Sequence, residues 1–258
     1  MTAGEKSQVP AADATLRILS HLAAQRGPVP ASTIATALGI PRSTVYHLLR
    51  VLQERGFVVH LPEEGRYGLG VAAFELSSGF SRQQPLTRLG SRLVEAMVDR
   101  LGESGHLAVL HGRDVLYLVE ERAPRRPSLV SDVGVRLPAH LTATGRAMLA
   151  ALPATQLRAL YPDAAAFTSR RASETWTYAR LKAVLAEVRR TGIAEEAGEV
   201  TGDLSSLGAV VLDHVGWPAA AVAVTFADDR VTDDIRAAIE AEVRGAAAEL
   251  SRRIRGVR

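Results

Sequence analysis

The sequence predicts an α+β protein with an N-terminal winged helix-turn-helix, a linker helix and a C-terminal α/β domain. Two observations lead to this prediction. Three short segments of helical periodicity and a hairpin signature lie between residues 11 and 70, and strand-like and helix-like runs alternate after residue 85. With 258 residues, 47% of them hydrophobic, the chain is long enough to build two modest cores.

The first two helices are marked by residues that favour helix ends. Asp13 is a good capping residue for a helix that ends near Gly27, and leucines recur at helical spacing between these two positions. A second helix is expected to begin at Pro30 and to end before Gly39, because glycine readily takes the left-handed conformation that follows a helix.

The third helix is expected to run from Pro41 to about Arg55, with a leucine-rich stripe on one side. At about 100° per residue, leucines 48, 49 and 52 fall within about 60° of Val45, and polar side chains lie opposite. Hydroxyl, imidazole and guanidinium groups on such a face can hydrogen-bond to base edges and phosphates. The candidate DNA-contacting residues are Ser32, Thr33, Arg42, Ser43, Thr44, Tyr46, His47, Arg50 and Arg66.

A β-hairpin wing is expected after this helix. Strands over residues 57–61 and 66–69 flank the turn Pro62–Gly65, and Arg66 lies beside that turn. Glu63 and Glu64 at the tip disfavour close approach to phosphates. The predicted domain boundaries are therefore 11–70 for the winged helix-turn-helix, 71–84 for a linker helix and 85–258 for the second domain.

In the second domain, periodicity predicts helices and strands in a mixed order. Helices are expected over residues 86–101, 142–151, 154–160, 178–191 and 232–255, and strands over 106–110, 115–120, 128–133, 193–195, 208–213 and 219–227. The segment Thr142–Gly145 would place free N–H groups and hydroxyls at a helix start, which suits a carboxylate or another anion. The alternative is that Thr142 or Thr144 only caps its own helix.

Composition and motifs bear on other functions. The chain has no cysteine, and its histidines are too dispersed for a metal site, so we expect neither a metal nor a cofactor. A small-molecule enzyme with an incidental helical N-terminus is the alternative class, but the chain lacks the GxSxG, HExxH and GxxxxGK[ST] motifs. The net charge of +3 permits DNA binding without arguing for it. No signal peptide or membrane span of roughly 18 apolar residues is evident, so we expect a cytoplasmic protein with no membrane partner.

Longer stretches carry a family resemblance. ATLRILSHLAAQRGPVPASTIATALGIPRSTVYHLLRVLQERGFV, RLPAHLTATGRAMLA and VRRTGIAEEAGEVTGDLSS follow one another in the chain. From Asp13 to Arg255 the chain resembles the IclR family of bacterial transcription regulators. The resemblance implies a homodimer, or a dimer of dimers, that binds a palindromic operator as a repressor or an activator. It also implies that a small molecule, often an organic acid or an aromatic catabolic metabolite, binds in a GAF-like C-terminal domain.

The resemblance also implies a set of effector-binding residues. They are Leu129, Ser131, Ala143, Thr144, Gly145, Glu196, Ser205, Ala223 and Thr225. From the sequence alone, Glu196 is more readily a solvated loop carboxylate than a ligand contact. The family commonly has Arg at the position of His47, which leaves the operator sequence open. The last strand has one hydroxyl, Thr225, beside Ala223 where the family often has two, so we hypothesise an effector less polar or larger than a small keto acid.

Overall fold

The computed structural model describes residues 8–25, 27–76, 85–124, 126, 129–168 and 175–255. The chain forms two compact units, Met1–Gln83 and Gln84–Arg258. Each unit has its own hydrophobic core.

The first unit is a winged helix-turn-helix, as predicted. Its helices are α1 (Pro10–Ala23), α2 (Ala31–Leu38) and α3 (Arg42–Glu54). Its strands β1 (Val29–Pro30), β2 (Val58–Leu61) and β3 (Arg66–Leu69) form an antiparallel sheet in the order β1-β3-β2. The short strand β1 was not predicted. Helix α1 begins at Pro10, so Asp13 lies in its first turn and does not cap it.

The core of this unit confirms the predicted stripe on α3. Val45, Leu49 and Leu52 are buried, and Leu48 packs against them half-buried. Gly39 ends α2 with φ of +64°, a left-handed conformation. After the wing, residues 71–76 are helical, in agreement with the start of the expected linker helix. Its remainder, 77–84, lies outside the described residues.

The second unit is built on one six-stranded antiparallel sheet. Its helices are α4 (Pro85–Leu101), α5 (Ala143–Ala151), α6 (Ala154–Leu160), α7 (Tyr178–Thr191) and α8 (Asp233–Ile254). Its strands are β4 (Ser104–His111), β5 (Asp114–Glu121), β6 (Arg136–Pro138), β7 (Ala194–Ala197), β8 (Leu204–Leu212) and β9 (Pro218–Ala227). The strand order is β6-β5-β4-β9-β8-β7.

Alternation along the strands gives this sheet two apolar faces, each covered by helices. Leu107 and Val222 point toward the core that α4 and α8 cover, whereas Ala108 and Ala221 point toward the core that α5, α6 and α7 cover. Glycine at position 208 lets β8 approach α5 closely, because a Cβ there would lie 3.1 Å from the backbone of Ala143. The result is a three-layer α/β unit.

The strand predicted over 128–133 is wrong within the described residues. Residues 129–133 are irregular, and the edge strand that pairs with β5 is β6. The apolar residues of this segment mimic a strand, but Gly134 takes φ of +85° and turns the chain before pairing starts at Arg136. Residue 128 itself lies outside the described part of the chain.

Candidate functional site

The outer face of α3 is exposed, as expected for the side opposite the buried stripe. The candidate residues on this helix are all exposed, namely Arg42, Ser43, Thr44, Tyr46, His47 and Arg50. Arg50 and Glu54 form an ion pair of 3.7 Å between two largely exposed side chains. Such a pair contributes little free energy, so Arg50 can exchange this carboxylate for another partner.

Helices α2 and α3 both begin with uncapped N–H groups. Each has a proline at its N-cap position, Pro30 and Pro41, and no side chain accepts a hydrogen bond from the first turn. Near the start of α2, Ser32 is half-buried and Thr33 is exposed. Free N–H groups and the positive end of a helix form a site that suits a phosphate.

The wing carries its cation on β3. Arg66 is exposed, its Nη1 donates to the Pro28 carbonyl oxygen at 3.5 Å, and its Nε lies 3.9 Å from a carboxylate oxygen of Glu64. Glu63 is exposed beside Glu64 at the wing tip. The turn is therefore acidic, and the basic group lies directly after it, at the start of β3.

A second candidate site is a cavity between the start of α5 and the sheet face that α5 covers. Seven of the nine implied effector residues line it, and its free volume is about 30 Å³, enough for one or two water molecules. Those seven are Leu129, Ser131, Ala143, Thr144, Glu196, Ala223 and Thr225. Tyr117, His106 and Ser206 also line the cavity, although the sequence did not predict them there.

Gly145 and Ser205 lie outside the cavity, contrary to expectation. Gly145 packs against the 3₁₀ turn that precedes α5, where a Cβ would approach the Ala139 oxygen to 2.1 Å. Ser206, the next residue along β8 after Ser205, pairs with Thr225 in register and faces the cavity. A shift of one residue along a strand moves a side chain to the other face.

The two threonines at the start of α5 have different roles. Thr142 is the N-cap, and its Oγ1 accepts a hydrogen bond of 3.0 Å from the Gly145 N–H. Thr142 therefore caps its own helix, and it also lines the cavity. The Thr144 hydroxyl is buried without a hydrogen bond of normal geometry, near the Tyr117 hydroxyl. A buried hydroxyl in this condition is available to a ligand.

Glu196 is buried, not solvated. It lies on β7 with 3% of its surface exposed. Its Oε1 accepts from the Val200 N–H at 2.9 Å, and its Oε2 accepts from the Ser206 hydroxyl at 3.1 Å. Burial raises the pKa of Glu196 to about 7, although both hydrogen bonds act in the opposite direction.

His106 lies on β4 and is 2% exposed. One ring nitrogen, Nε2, lies 3.0 Å from the Thr225 hydroxyl, and Nδ1 lies 3.4 Å from the Ser131 hydroxyl. Burial lowers the pKa of His106 to about 4, so the ring is neutral near pH 7. The alternation of side chains along β4 could have predicted that His106 points into the cavity. His106 lies two residues before Ala108, so both side chains lie on the same face of the sheet.

The cavity lining contains no lysine or arginine among the described residues. Arg146 on α5 is buried, and its groups are engaged elsewhere. Its Nη2 lies 2.7 Å from Glu199, and its Nε donates to the His140 carbonyl oxygen at 2.9 Å. In the same described residues, no group of three or more histidine, aspartate or glutamate side chains is placed to hold a metal ion.

A winged helix-turn-helix joined in one chain to an α/β unit with a polar internal cavity defines a ligand-responsive, DNA-binding regulator. Two family models match the chain. The IclR helix-turn-helix domain matches residues 11–62, and the bacterial transcriptional regulator IclR C-terminal domain matches residues 81–252. The chain belongs to the IclR family of bacterial transcriptional regulators.

Relatives of known role agree with this family. The transcriptional repressor IclR of Escherichia coli is 28% identical over all of this chain and 94% of its own length. The glycerol operon regulatory protein of Streptomyces coelicolor is 31% identical over 86% of this chain and 87% of its own length.

Solved structures show the same fold. An IclR transcriptional regulator from Alicyclobacillus acidocaldarius matches with a TM-score of 0.85 and 21% identity, covering 95% of this chain and 98% of that one. An IclR homologue from Microbacterium hydrocarbonoxydans, complexed with 4-hydroxybenzoate, matches with a TM-score of 0.80 and 21% identity, covering 95% and 99%. In the described residues, no helix has the length and apolar character needed to cross a membrane.

Proposed function

We propose that this protein is a cytoplasmic, non-enzymatic regulator that binds a palindromic operator as a homodimer or a dimer of dimers. Residues 11–70 would bind DNA, 71–84 would link the domains, and 85–258 would bind the effector. The exposed polar face of α3, opposite its buried leucine stripe, is the observation that carries the proposal. The relatives support it, since they are a transcriptional repressor and an operon regulatory protein.

On DNA, α3 would enter the major groove and the wing would lie along the backbone. Ser43, Tyr46, His47 and Arg50 would read base edges. Arg42, Ser32, Thr33 and Thr44 would contact phosphates together with the uncapped helix starts, and Arg66 would add a contact at the start of β3, beside the wing turn. The acidic tip of the wing would stand away from the phosphates.

In the second domain, the cavity is the proposed effector site. Its free volume of about 30 Å³ is too small for an organic acid or an aromatic metabolite, so the walls must move to admit one. Two wall segments are held by arginine–carboxylate pairs: Arg122 to Asp132 at 3.1 Å, and Arg146 to Glu199 at 2.7 Å. An effector that prefers the expanded state would shift the population toward it and so alter operator binding.

The DNA-binding assignment is tested by fluorescence anisotropy with duplexes from the region upstream of the gene. Arg50→Ala should weaken binding to the operator by about tenfold or more, because a good base contact contributes about 1–3 kcal/mol. Arg55→Ala is the matched control. Arg55 is exposed at the C-terminal end of the same helix and should change the affinity less than about twofold.

Retention of full affinity by a double His47→Ala, Arg50→Ala variant with an unchanged circular dichroism spectrum would contradict the assignment of α3. A loss of affinity in Arg55→Ala equal to that in Arg50→Ala would indicate a general charge effect in place of base reading.

A further inference from the structure

The polar groups of the cavity form one continuous hydrogen-bonded chain across four strands of the sheet. Ser131 Oγ lies 3.4 Å from His106 Nδ1, and His106 Nε2 lies 3.0 Å from Thr225 Oγ1. Thr225 Oγ1 lies 2.9 Å from Ser206 Oγ, which donates to Glu196 Oε2 at 3.1 Å. The chain thus joins a wall segment at one end to a buried carboxyl group at the other.

The direction of the donors in this chain is fixed at the Glu196 end. An ionised carboxylate can only accept, so Ser206 donates to Glu196 and Thr225 donates to Ser206. Thr225 then accepts from His106 Nε2–H. The neutral ring has no second proton, so Nδ1 accepts from the Ser131 hydroxyl.

Protonation of Glu196 at Oε2 allows the reverse direction. The carboxyl O–H donates to Ser206, Ser206 to Thr225, and Thr225 to His106 Nε2. His106 then carries its proton on Nδ1 and donates to Ser131. Each heavy atom keeps the same neighbours in both arrangements. The ring stays neutral, and one external proton is taken up by the chain as a whole.

We propose that the proton on Glu196 sets the direction of this hydrogen-bonded chain, and that the chain thereby selects the charge of the molecule bound in the cavity.

We assign the proton of this hydrogen-bonded chain to Glu196, because the charged groups that face Glu196 are paired with each other and the Tyr117 phenol is buried. Glu199 faces it from the following turn and Arg146 faces it from α5, but these two form an ion pair of 2.7 Å, so their effects oppose each other. Tyr117 faces it from β5, and burial raises the pKa of Tyr117 to about 12. Burial raises the pKa of Glu196 to about 7, within the range where both directions are populated.

The groups around His106 keep the ring neutral. Arg122 lies just after β5, and its positive charge lowers the pKa of His106 further than burial alone does. Arg122 itself is paired with Glu120 at 2.9 Å and with Asp132 at 3.1 Å. The ring therefore responds to Glu196 by exchanging tautomers, without gaining a charge.

The two directions present different groups to a ligand, a consequence that rests on the proposed effector role of the cavity. With Glu196 protonated, the Ser131 hydroxyl proton is free to donate and the cavity holds no negative charge, which suits a carboxylate. With Glu196 ionised, Ser131 offers only lone pairs and the carboxylate repels anions, which suits an alcohol or a phenol. A carboxylate effector would therefore bind together with one proton.

The expected change of the His106 tautomer with pH, which we call the switch, is tested without DNA or a ligand. The measurement is NMR of the full-length protein labelled with ¹⁵N-histidine. His106 is assigned from its loss in His106→Gln. We expect the Nε2–H tautomer above about pH 7 and the Nδ1–H tautomer below it. In Glu196→Gln, the Val200 N–H holds the amide oxygen and the NH₂ group donates to Ser206, so His106 should stay Nδ1–H at every pH.

Two further variants distinguish an effect carried by the hydrogen-bonded chain from a general effect of charge. Glu195→Gln changes the exposed carboxylate next along β7, which pairs with Arg236, and should leave the switch unchanged. Ser206→Ala keeps Glu196 but interrupts the hydrogen-bonded chain, so the His106 tautomer should no longer change with pH. A single His106 tautomer in the natural protein between about pH 5.5 and 8.5, or a normal switch in Ser206→Ala, would overturn the proposal.

The ligand consequence is tested with benzoate and benzyl alcohol, which differ in the charged group. By calorimetry, benzoate affinity should fall about tenfold per pH unit above pH 7, and benzyl alcohol affinity should not. Benzoate affinity that does not change with pH overturns this part. Operator binding is measured separately, so loss of the tautomer switch with intact operator binding overturns the inference and leaves the regulator assignment standing.

Discussion

Glu196 illustrates how a single buried carboxyl group makes stability depend on pH. Folding removes it from water, so the folded protein binds the Glu196 proton more tightly than the unfolded chain does. The stabilisation from this proton is fully present below the ordinary carboxyl pKa. It is lost as the pH rises from about 4.5 to about 7.

Glu196→Gln should therefore make the second unit more stable at pH 8, by about 3 kcal/mol, since folding raises the Glu196 pKa from 4.5 to about 7 and a difference of one unit corresponds to about 1.4 kcal/mol. At pH 4.5 the two proteins should differ little. Urea unfolding followed by tryptophan fluorescence measures this unit, because both tryptophans, Trp176 and Trp217, lie within it. A Glu196→Gln variant that is equally destabilised at both pH values would show that the carboxylate is held by its hydrogen bonds more strongly than burial opposes it.

At the scale of elements, the helices were predicted to within a few residues because their ends carry local signals. Thr142, Thr177 and Thr232 each accept a hydrogen bond from the first turn of the helix they precede. These contacts span three residues, so the sequence alone contains them. The strand ends were less predictable, since pairing depends on partners far along the chain, as β6 and β5 show.

The site shows the same division between local and distant information. Thr144 lies in the cavity because it follows a helix cap that the sequence shows. The burial of Glu196 depends on the register of β7 against β8, where Glu196 pairs with Ser206. Two adjacent glutamates, 195 and 196, look equally polar in the sequence, yet one is exposed and the other buried. Only the sheet distinguishes them.

Helix α3 combines a buried core face and an exposed polar face, so its two faces should respond differently to truncation. Leu49 is 1% exposed and Val51 is 50% exposed. Leu49→Ala should destabilise the first unit by about 2–5 kcal/mol, and Val51→Ala by less than about 0.5 kcal/mol. Far-UV circular dichroism should show an earlier transition in Leu49→Ala, while tryptophan fluorescence, which reports only the second unit, should not move. An equal shift of both signals would show that the two cores unfold together.

At the scale of the whole molecule, two buried histidines of the second unit and the buried Glu196 have opposite effects on how stability depends on pH. Burial lowers the pKa of His106 and of His140 to about 4. The folded forms of these histidines bind protons more weakly than the unfolded chain, so their stabilisation is present above about pH 6.5 and is lost as the pH falls toward 4. Glu196 acts in the other direction, and its stabilisation is lost as the pH rises toward 7.

Between about pH 4.5 and 6.5 the unfolded chain therefore binds up to two more protons at the histidines and one fewer at Glu196. For these three groups the net slope is about one proton, which raises their contribution to the free energy of unfolding by about 1.4 kcal/mol per pH unit across this window. Above pH 6.5 the histidine contribution is complete and only the Glu196 loss remains, which places the maximum for these three groups near pH 6.5. Urea unfolding by tryptophan fluorescence at pH 5, 6.5 and 8 measures it. Because Glu196→Gln removes one opposing group, its slope below pH 6.5 should be steeper by about one proton than that of the natural protein, and an unchanged slope in that variant would contradict a buried, proton-binding Glu196.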